Sequence, residues 1–285
     1  MSKAAVIFGL ALAVAACGSE PPVDRPINFG GDRPVQLQVP AAFDDGVDYP
    51  LVMILHGYSA GGFVQQAYLG LGNLADAEGM LVLAPDGTVD SIDNPFWNAD
   101  PACCDFDRTG VDDVAYLGGL IDDVMAAWPV DPARVTLLGH SNGSFMAYRM
   151  ACDRADVVTS IAGLAGLGPT APCSPAQPVH VLHIHGTADG TVPYDGNNGV
   201  GSPGAVATVA AFAERNGCQG GPTAAASKDL VASIPGAETA VEVTGGCPGA
   251  GAADLWTMEG GGHLPSLTSS FVPELLAWIA AHPRP

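Results

Sequence analysis

Several short apolar runs end in glycine: "YPLVMILHG" (49–57), "MLVLAPDG" (80–87), "RVTLLG" (134–139) and "VHVLHIHG" (179–186). A strand with one wet face alternates polar and apolar residues, whereas a run apolar at nearly every position belongs to a strand covered on both faces. Between these runs, apolar residues recur at helical spacing near 63–78, over "VDDVAYLGGLIDDVMAAW" (111–128), in "SFMAYRMACDR" (144–154), and near 204–216 and 270–281. Alternating buried strands and helices predict an α/β fold, a mostly parallel sheet with helices on both faces. "VQLQVP" (35–40) alternates and reads as an outer strand, while "VVTSIAGLAG" and "ADLWTME" supply further strands. No internal repeat interrupts the pattern, and 285 residues suit one such domain. In sheets of this kind functional groups gather at the carboxyl ends of the strands.

Ahead of this domain, Lys3 precedes the run "AAVIFGLALAVAAC", too short to span a bilayer and of the length of a signal-peptide core. It ends in Val14-Ala15-Ala16-Cys17, similar to the lipobox of bacterial lipoproteins. The reading is a lipoprotein signal peptide over 1–16, lipidation at Cys17, a flexible tether over 17–34, and a catalytic domain over 35–285. The mature chain is then exported, membrane-anchored through its lipid or extracellular. A formal charge of −20, with only 10 basic residues, disfavours nucleic acid, whose phosphates demand clustered Lys and Arg. An acidic surface favours a soluble monomer.

Of seven cysteines, setting Cys17 aside leaves six. An even number in an oxidising compartment points to disulfides. Cys218 pairs with Cys247 in this reading. A bond between the neighbours Cys103 and Cys104 would be strained, so these are expected to pair with Cys152 and Cys173. No CxxC or HExxH spacing suggests a metal. His180, His183 and His185 are taken to alternate along one strand, which places them on one face, and are assigned to packing.

The chemistry starts at Gly139-His140-Ser141-Asn142-Gly143, a G-x-S-x-G pentapeptide following a strand and opening a helix. Its glycines allow a turn too tight for side chains, which lifts the serine hydroxyl clear. A hydroxyl needs a base to become a nucleophile. Asp189 follows the strand "VHVLHIHG" and His263 follows the last strand, giving the order Ser, acid, His of α/β-hydrolases; Asp195 is the rival acid. Asp189 would orient the imidazole of His263, and His263 would take the proton of Ser141. Two donors must hold the oxyanion: the backbone N–H groups of Asn142 and of Tyr58, on a loop shaped by His56-Gly57. Tyr58, His140 and Trp97 are the expected pocket walls.

In order, "LHGYSAGG", "WNADPACCDFDRTGVDDVAYLGGLIDDV", "RVTLLGHSNGSFMAYRMAC", "VLHIHGTADGTVPY", "ERNGC" and "GGGH" resemble the polyhydroxybutyrate depolymerase and feruloyl esterase-like family of secreted α/β-hydrolases. The resemblance runs from about Val35 to the C-terminus. It implies Ser141, Asp189 and His263 as triad, Tyr58 and Asn142 as backbone donors, and disulfides among the cysteines. It also implies polyhydroxyalkanoate, hydroxycinnamoyl or acetyl polysaccharide esters, and sometimes aromatic polyesters, as substrates. Leu264-Pro265-Ser266 stands where that family often has Trp-Pro-Gly, and no polymer-binding module is expected after the last helix. The leading expectation is a carboxylic ester hydrolase working through an acyl-enzyme without metal or organic cofactor. An acyltransferase or peptidase would use the same triad. A non-catalytic binding lipoprotein is disfavoured, since every triad position is filled.

Overall fold

A computed structural model describes residues 25–196, 201–249 and 251–285. The segment 1–16, Cys17 and the first part of the expected tether lie outside these residues. In chain order the elements are β1 (Asn28–Phe29), β2 (Val35–Gln36), β3 (Tyr49–Leu55), α1 (Gly62–Tyr68), α2 (Leu74–Glu78), β4 (Leu81–Leu83), β5 (Thr88–Val89), β6 (Pro95–Phe96) and α3 (Asp113–Ala127). There follow β7 (Val130–His140), α4 (Asn142–Asp153), β8 (Ser160–Leu164), β9 (His180–Gly186), α5 (Ala205–Arg215), β10 (Pro222–Lys228), β11 (Thr239–Thr244), β12 (Ala253–Met258) and α6 (Phe271–Ala281).

Eight strands form the central sheet in the order β10-β11-β12-β9-β8-β7-β3-β4. The six from β12 to β4 run parallel, and β10 and β11 add an antiparallel edge. The apolar runs explain this arrangement. On β3, Leu51, Met53 and Leu55 enter the core under α3, α4 and α5, while Val52 and Ile54 enter the core with Leu275, Trp278 and Ile279 of α6. Period-two alternation feeds two cores at once, which only an apolar strand can satisfy.

Chain order also fixes where a site can lie. From β3 the chain crosses to β4 on one side, then returns to β7 on the other. That reversal is a topological switch point, and a crevice opens beyond the carboxyl ends of the strands flanking it. Tyr58 leaves β3 there and Ser141 leaves β7.

Three expectations are corrected. Residues 25–34 are not tether: β1 pairs with β2, Arg25 bridges Asp45 at 2.7 Å, and Arg33 bridges the buried Asp113 at 2.6 Å while stacking on Tyr116. Any free tether therefore ends before Arg25. The single helix near 63–78 is two, broken over 69–73 where Gly70 takes φ +74°. Finally, Cys103 bonds Cys104, and Cys152 bonds Cys173; Cys218–Cys247 is as expected. Paired backbone bonds between Asp100 and Cys103 close a tight turn that leaves the neighbouring thiols side by side. Cys152 and Cys173 already face each other with Cα atoms 5.2 Å apart.

Candidate active site

Ser141 caps α4 with φ 54° and ψ −121°, a conformation that side chains other than glycine rarely adopt. Two glycines make the turn possible. A Cβ at Gly139 would lie 2.2 Å from the Gly143 carbonyl oxygen, and one at Gly143 would lie 2.2 Å from that of Leu55. Backbone therefore passes where any side chain would stand, and the Ser141 N–H is held by the Leu164 carbonyl at 2.8 Å.

His263 reaches Ser141 from the loop after β12. His263 Nε2 lies 2.9 Å from Ser141 Oγ, and its Nδ1 lies 2.7 Å from Asp189 Oδ2. The loops carrying Asp189 and His263 cross closely, because Gly186 has no side chain: a Cβ there would meet the Gly261 carbonyl oxygen at 2.1 Å. Asp189 Oδ1 accepts the N–H groups of Thr191 and Val192, each at 2.8 Å. Burial pushes this carboxyl up, but hydrogen bonds from His185, His263 and those two amides outweigh it and hold it well below the usual carboxylate range. An ionised acid thus fixes His263 with Nδ1 protonated and Nε2 open towards the serine. Asp195, the rival acid, is exposed in the following loop and takes no part in this line.

The two amides expected to face an oxyanion also come together. A Cβ at Gly57 would lie 3.3 Å from Ser141 Cβ, so the turn after β3 rests against Ser141. Among the described hydrogen bonds, the Tyr58 and Asn142 backbone amides have no acceptor. His56 sets that turn: its Nδ1 donates to the Gly57 carbonyl and its Nε2 accepts from Gly87 N–H, both at 2.8 Å. Burial pushes the His56 imidazole down and keeps it neutral, as this pair of bonds demands.

A cavity of about 260 Å³ opens at Ser141, walled by Tyr58, the Cys103–Cys104 disulfide, Phe106, Phe145 and Val192. Tyr58 is the one expected wall residue that lines it; its hydroxyl bonds Asp90 and its ring meets Phe106 edge-on. Trp97 is not a wall. It is fully buried behind the oxyanion turn, donating to the His56 carbonyl at 3.0 Å. His140 is not a wall either: buried against Tyr68, it donates from Nε2 to the His263 carbonyl at 2.9 Å, and burial holds it neutral at about 4. Leu264 stands 65% exposed beyond His263, with the Pro265 carbonyl tied to the Tyr68 hydroxyl. A larger cavity of about 420 Å³ between α5 and the β10–β11 edge contains none of these groups.

Sequence reasoning missed the Asn142 side chain. Its Oδ1 accepts Trp97 N–H at 2.7 Å, and its Nδ2 donates to the Trp97 carbonyl at 2.9 Å. That clamp spans 45 residues of chain, and no local pattern signals it. The strand histidines also differ from expectation. His180 is three positions from His183, so it lies on the opposite face, against His282; only His183 and His185 share a face.

The sheet order, the strained serine turn and the line Ser141–His263–Asp189 are those of the α/β-hydrolase fold. Solved structures agree on the fold: acetyl xylan esterase from Aspergillus awamori superposes with a TM-score of 0.60 at 13% identity, over 87% of this chain and 94% of that one. Esterase PE8 superposes with a TM-score of 0.51 at 18% identity, over 86% and 97%. No family model matches the chain. Among curated proteins, feruloyl esterase C of Emericella nidulans is 27% identical over 209 residues, 71% of this chain and 69% of that protein. The bifunctional acetylxylan esterase/xylanase XynS20E of Neocallimastix patriciarum is 23% identical over 165 residues, 58% of this chain and 22% of that protein. NocK of Nocardia uniformis, provisionally named an esterase, is 29% identical over 150 residues, and the chain spans 42% of its length.

Proposed function

We propose that this protein is a serine carboxylic ester hydrolase acting on hydroxycinnamoyl or acetyl esters. The observation that carries the reading is the unbroken line from Ser141 Oγ through His263 to the buried Asp189, at 2.9 and 2.7 Å, beside two acceptor-free amides. In this reading His263 Nε2 takes the hydroxyl proton as Ser141 Oγ attacks the ester carbonyl carbon. The tetrahedral oxyanion is held by the N–H groups of Tyr58 and Asn142. His263 then gives its proton to the departing alcohol, leaving an acyl-serine. Water, deprotonated by the same imidazole, releases the acid and restores the serine.

Similarity to feruloyl esterase C and to an acetylxylan esterase supports these acyl groups. A cavity of about 260 Å³ falls just below the ~300–1,000 Å³ usual for small-molecule sites, and suits one acyl group better than a polymer segment. Hydrolysis of polyhydroxyalkanoate is the extension that the first resemblance suggests. A panel of p-nitrophenyl acetate, methyl ferulate, acetylated xylan and polyhydroxybutyrate separates these substrates, with Ser141→Ala as the control. Full activity of folded Ser141→Ala sinks the mechanism.

We also propose export as a lipoprotein anchored through Cys17. Three disulfides, which persist in oxidising compartments, support export. Mass spectrometry of the mature N-terminus tests it: a diacylglyceryl group on Cys17 is expected, and a mature chain still carrying residues 1–16 refutes it.

A further inference from the structure

Three polar side chains beneath the site have no part in the mechanism above, although burying them is costly. Tyr148 of α4 and His183 and His185 of β9 are fully buried. They form one line: Tyr148 hydroxyl to His183 Nδ1 at 2.7 Å, His183 Nε2 to His185 Nδ1 at 3.1 Å, and His185 Nε2 to the Val192 carbonyl at 2.9 Å. His185 Nε2 also lies 3.3 Å from Asp189 Oδ2, the oxygen that faces His263.

Proton accounting gives the line one direction. His185 Nε2 faces only acceptors, a carbonyl and a carboxylate, so it carries the hydrogen. The Nδ1 of a neutral His185 is then bare and must accept, so His183 Nε2 carries a hydrogen. His183 Nδ1 is bare in turn and accepts from the Tyr148 hydroxyl. Burial drives His183 well below the usual histidine range, which leaves its Nδ1 bare for the Tyr148 hydroxyl.

We propose that Tyr148, His183 and His185 are a donor relay that positions the catalytic acid, with His185 holding Asp189 Oδ2 at the angle and charge that His263 requires. The proposal rests on the triad reading of Ser141, His263 and Asp189. His185 touches no substrate; it acts through Asp189. Two amides fix Oδ1, and the Nε2–H of His185, shared between the Val192 carbonyl at 2.9 Å and Oδ2 at 3.3 Å, gives Oδ2 a second polar contact that resists its turning away from His263. It also divides the Oδ2 charge between two imidazole N–H groups. The groups facing His185 are Asp189, His183 and Tyr194, with His140 and His263 beyond the carboxylate and Tyr148 beyond His183.

The experiment compares wild type, Ser141→Ala, His185→Leu, His185→Gln and Tyr148→Phe, measuring kcat, KM and the pH profile on p-nitrophenyl acetate alongside thermal melts. Loss of a hydrogen bond to a charged group predicts a fall in kcat of about ten- to a hundredfold for His185→Leu, with KM nearly unchanged. With Oδ2 facing His263 alone, the acid limb of the profile moves to higher pH. Gln places an N–H close to the position of Nε2, so His185→Gln regains most of the rate and moves the limb back. Tyr148→Phe, which removes only the far end, shows a smaller change in the same sense and covers the case in which His185→Leu does not fold. Wild-type kcat and an unmoved acid limb in folded His185→Leu overturn the proposal, as does a His185→Gln variant no better than His185→Leu. An active Ser141→Ala would instead overturn the triad reading itself.

Discussion

Replacing Asp189 by Asn removes one charge and leaves the shape, so its effect follows from hydrogen-bond directions. Oδ1 accepts two backbone amides at 2.8 Å each. Turning the Asn amide so that its NH2 faces them would set donors against donors and lose both hydrogen bonds, at about 0.5–1.5 kcal/mol each. The Asn oxygen therefore stays with Thr191 and Val192, and the NH2 replaces Oδ2, 2.7 Å from His263 Nδ1. An NH2 donates, so Nδ1 must become the acceptor and the ring hydrogen moves to Nε2, against Ser141 Oγ. In that tautomer His263 cannot take the serine proton. The expected loss is about 10⁴-fold in kcat, or ~5.5 kcal/mol at the transition state. Steady-state hydrolysis of p-nitrophenyl acetate near pH 7.5 measures it, with a thermal melt to confirm folding. A folded Asp189→Asn enzyme within tenfold of the wild-type kcat would refute the tautomer argument and the assignment of Asp189 as the acid.

Gly143→Ala would place a methyl 2.2 Å from the Leu55 carbonyl oxygen, inside β3. A destabilisation of about 3 kcal/mol and a drop in Tm of roughly 10 °C are expected, and an unchanged Tm would contradict the close approach. Stability should also fall with acid. Burial holds His140 and His180 at about 4, below the 6.5 of an exposed imidazole, so between those values the unfolded chain binds more protons. Their contribution is whole above pH 6.5 and is lost as pH falls towards 4. Below that, Asp189, held under the usual carboxylate range, adds a further loss. Melts at pH 7.5, 5.5 and 4.5 should show a falling Tm, and a flat series would count against neutral burial of these rings.

Local pattern made much of this protein legible. "YPLVMILHG" is apolar on both strand faces because β3 feeds two cores, and that property is visible in any window of nine residues. The elbow is equally local, since its glycines answer clashes within a five-residue turn or with the adjacent strand. Asp189 and His263 were found because each directly follows a strand, and parallel strands bring their carboxyl ends together. The β10–β11 edge escaped notice because "PTAAASK" is almost entirely exposed and carries no hydrophobic period.

The sequence by itself determined the strand–helix alternation, the tight serine turn, and which loops carry Asp189 and His263. These rest on hydrophobic period and on the conformational freedom of glycine, which neighbouring residues fix. Only the tertiary structure decided who touches whom across long stretches of chain. It buried Trp97 behind the oxyanion turn, turned His140 to brace the His263 loop, and joined Cys103 to Cys104 as a cavity wall. It also brought Tyr148 under His183 and His185, so that a line of buried polar contacts runs to Asp189. A hydrogen bond depends on distance and direction in space, and residues 35 or 45 positions apart leave no trace of either in the order of the chain.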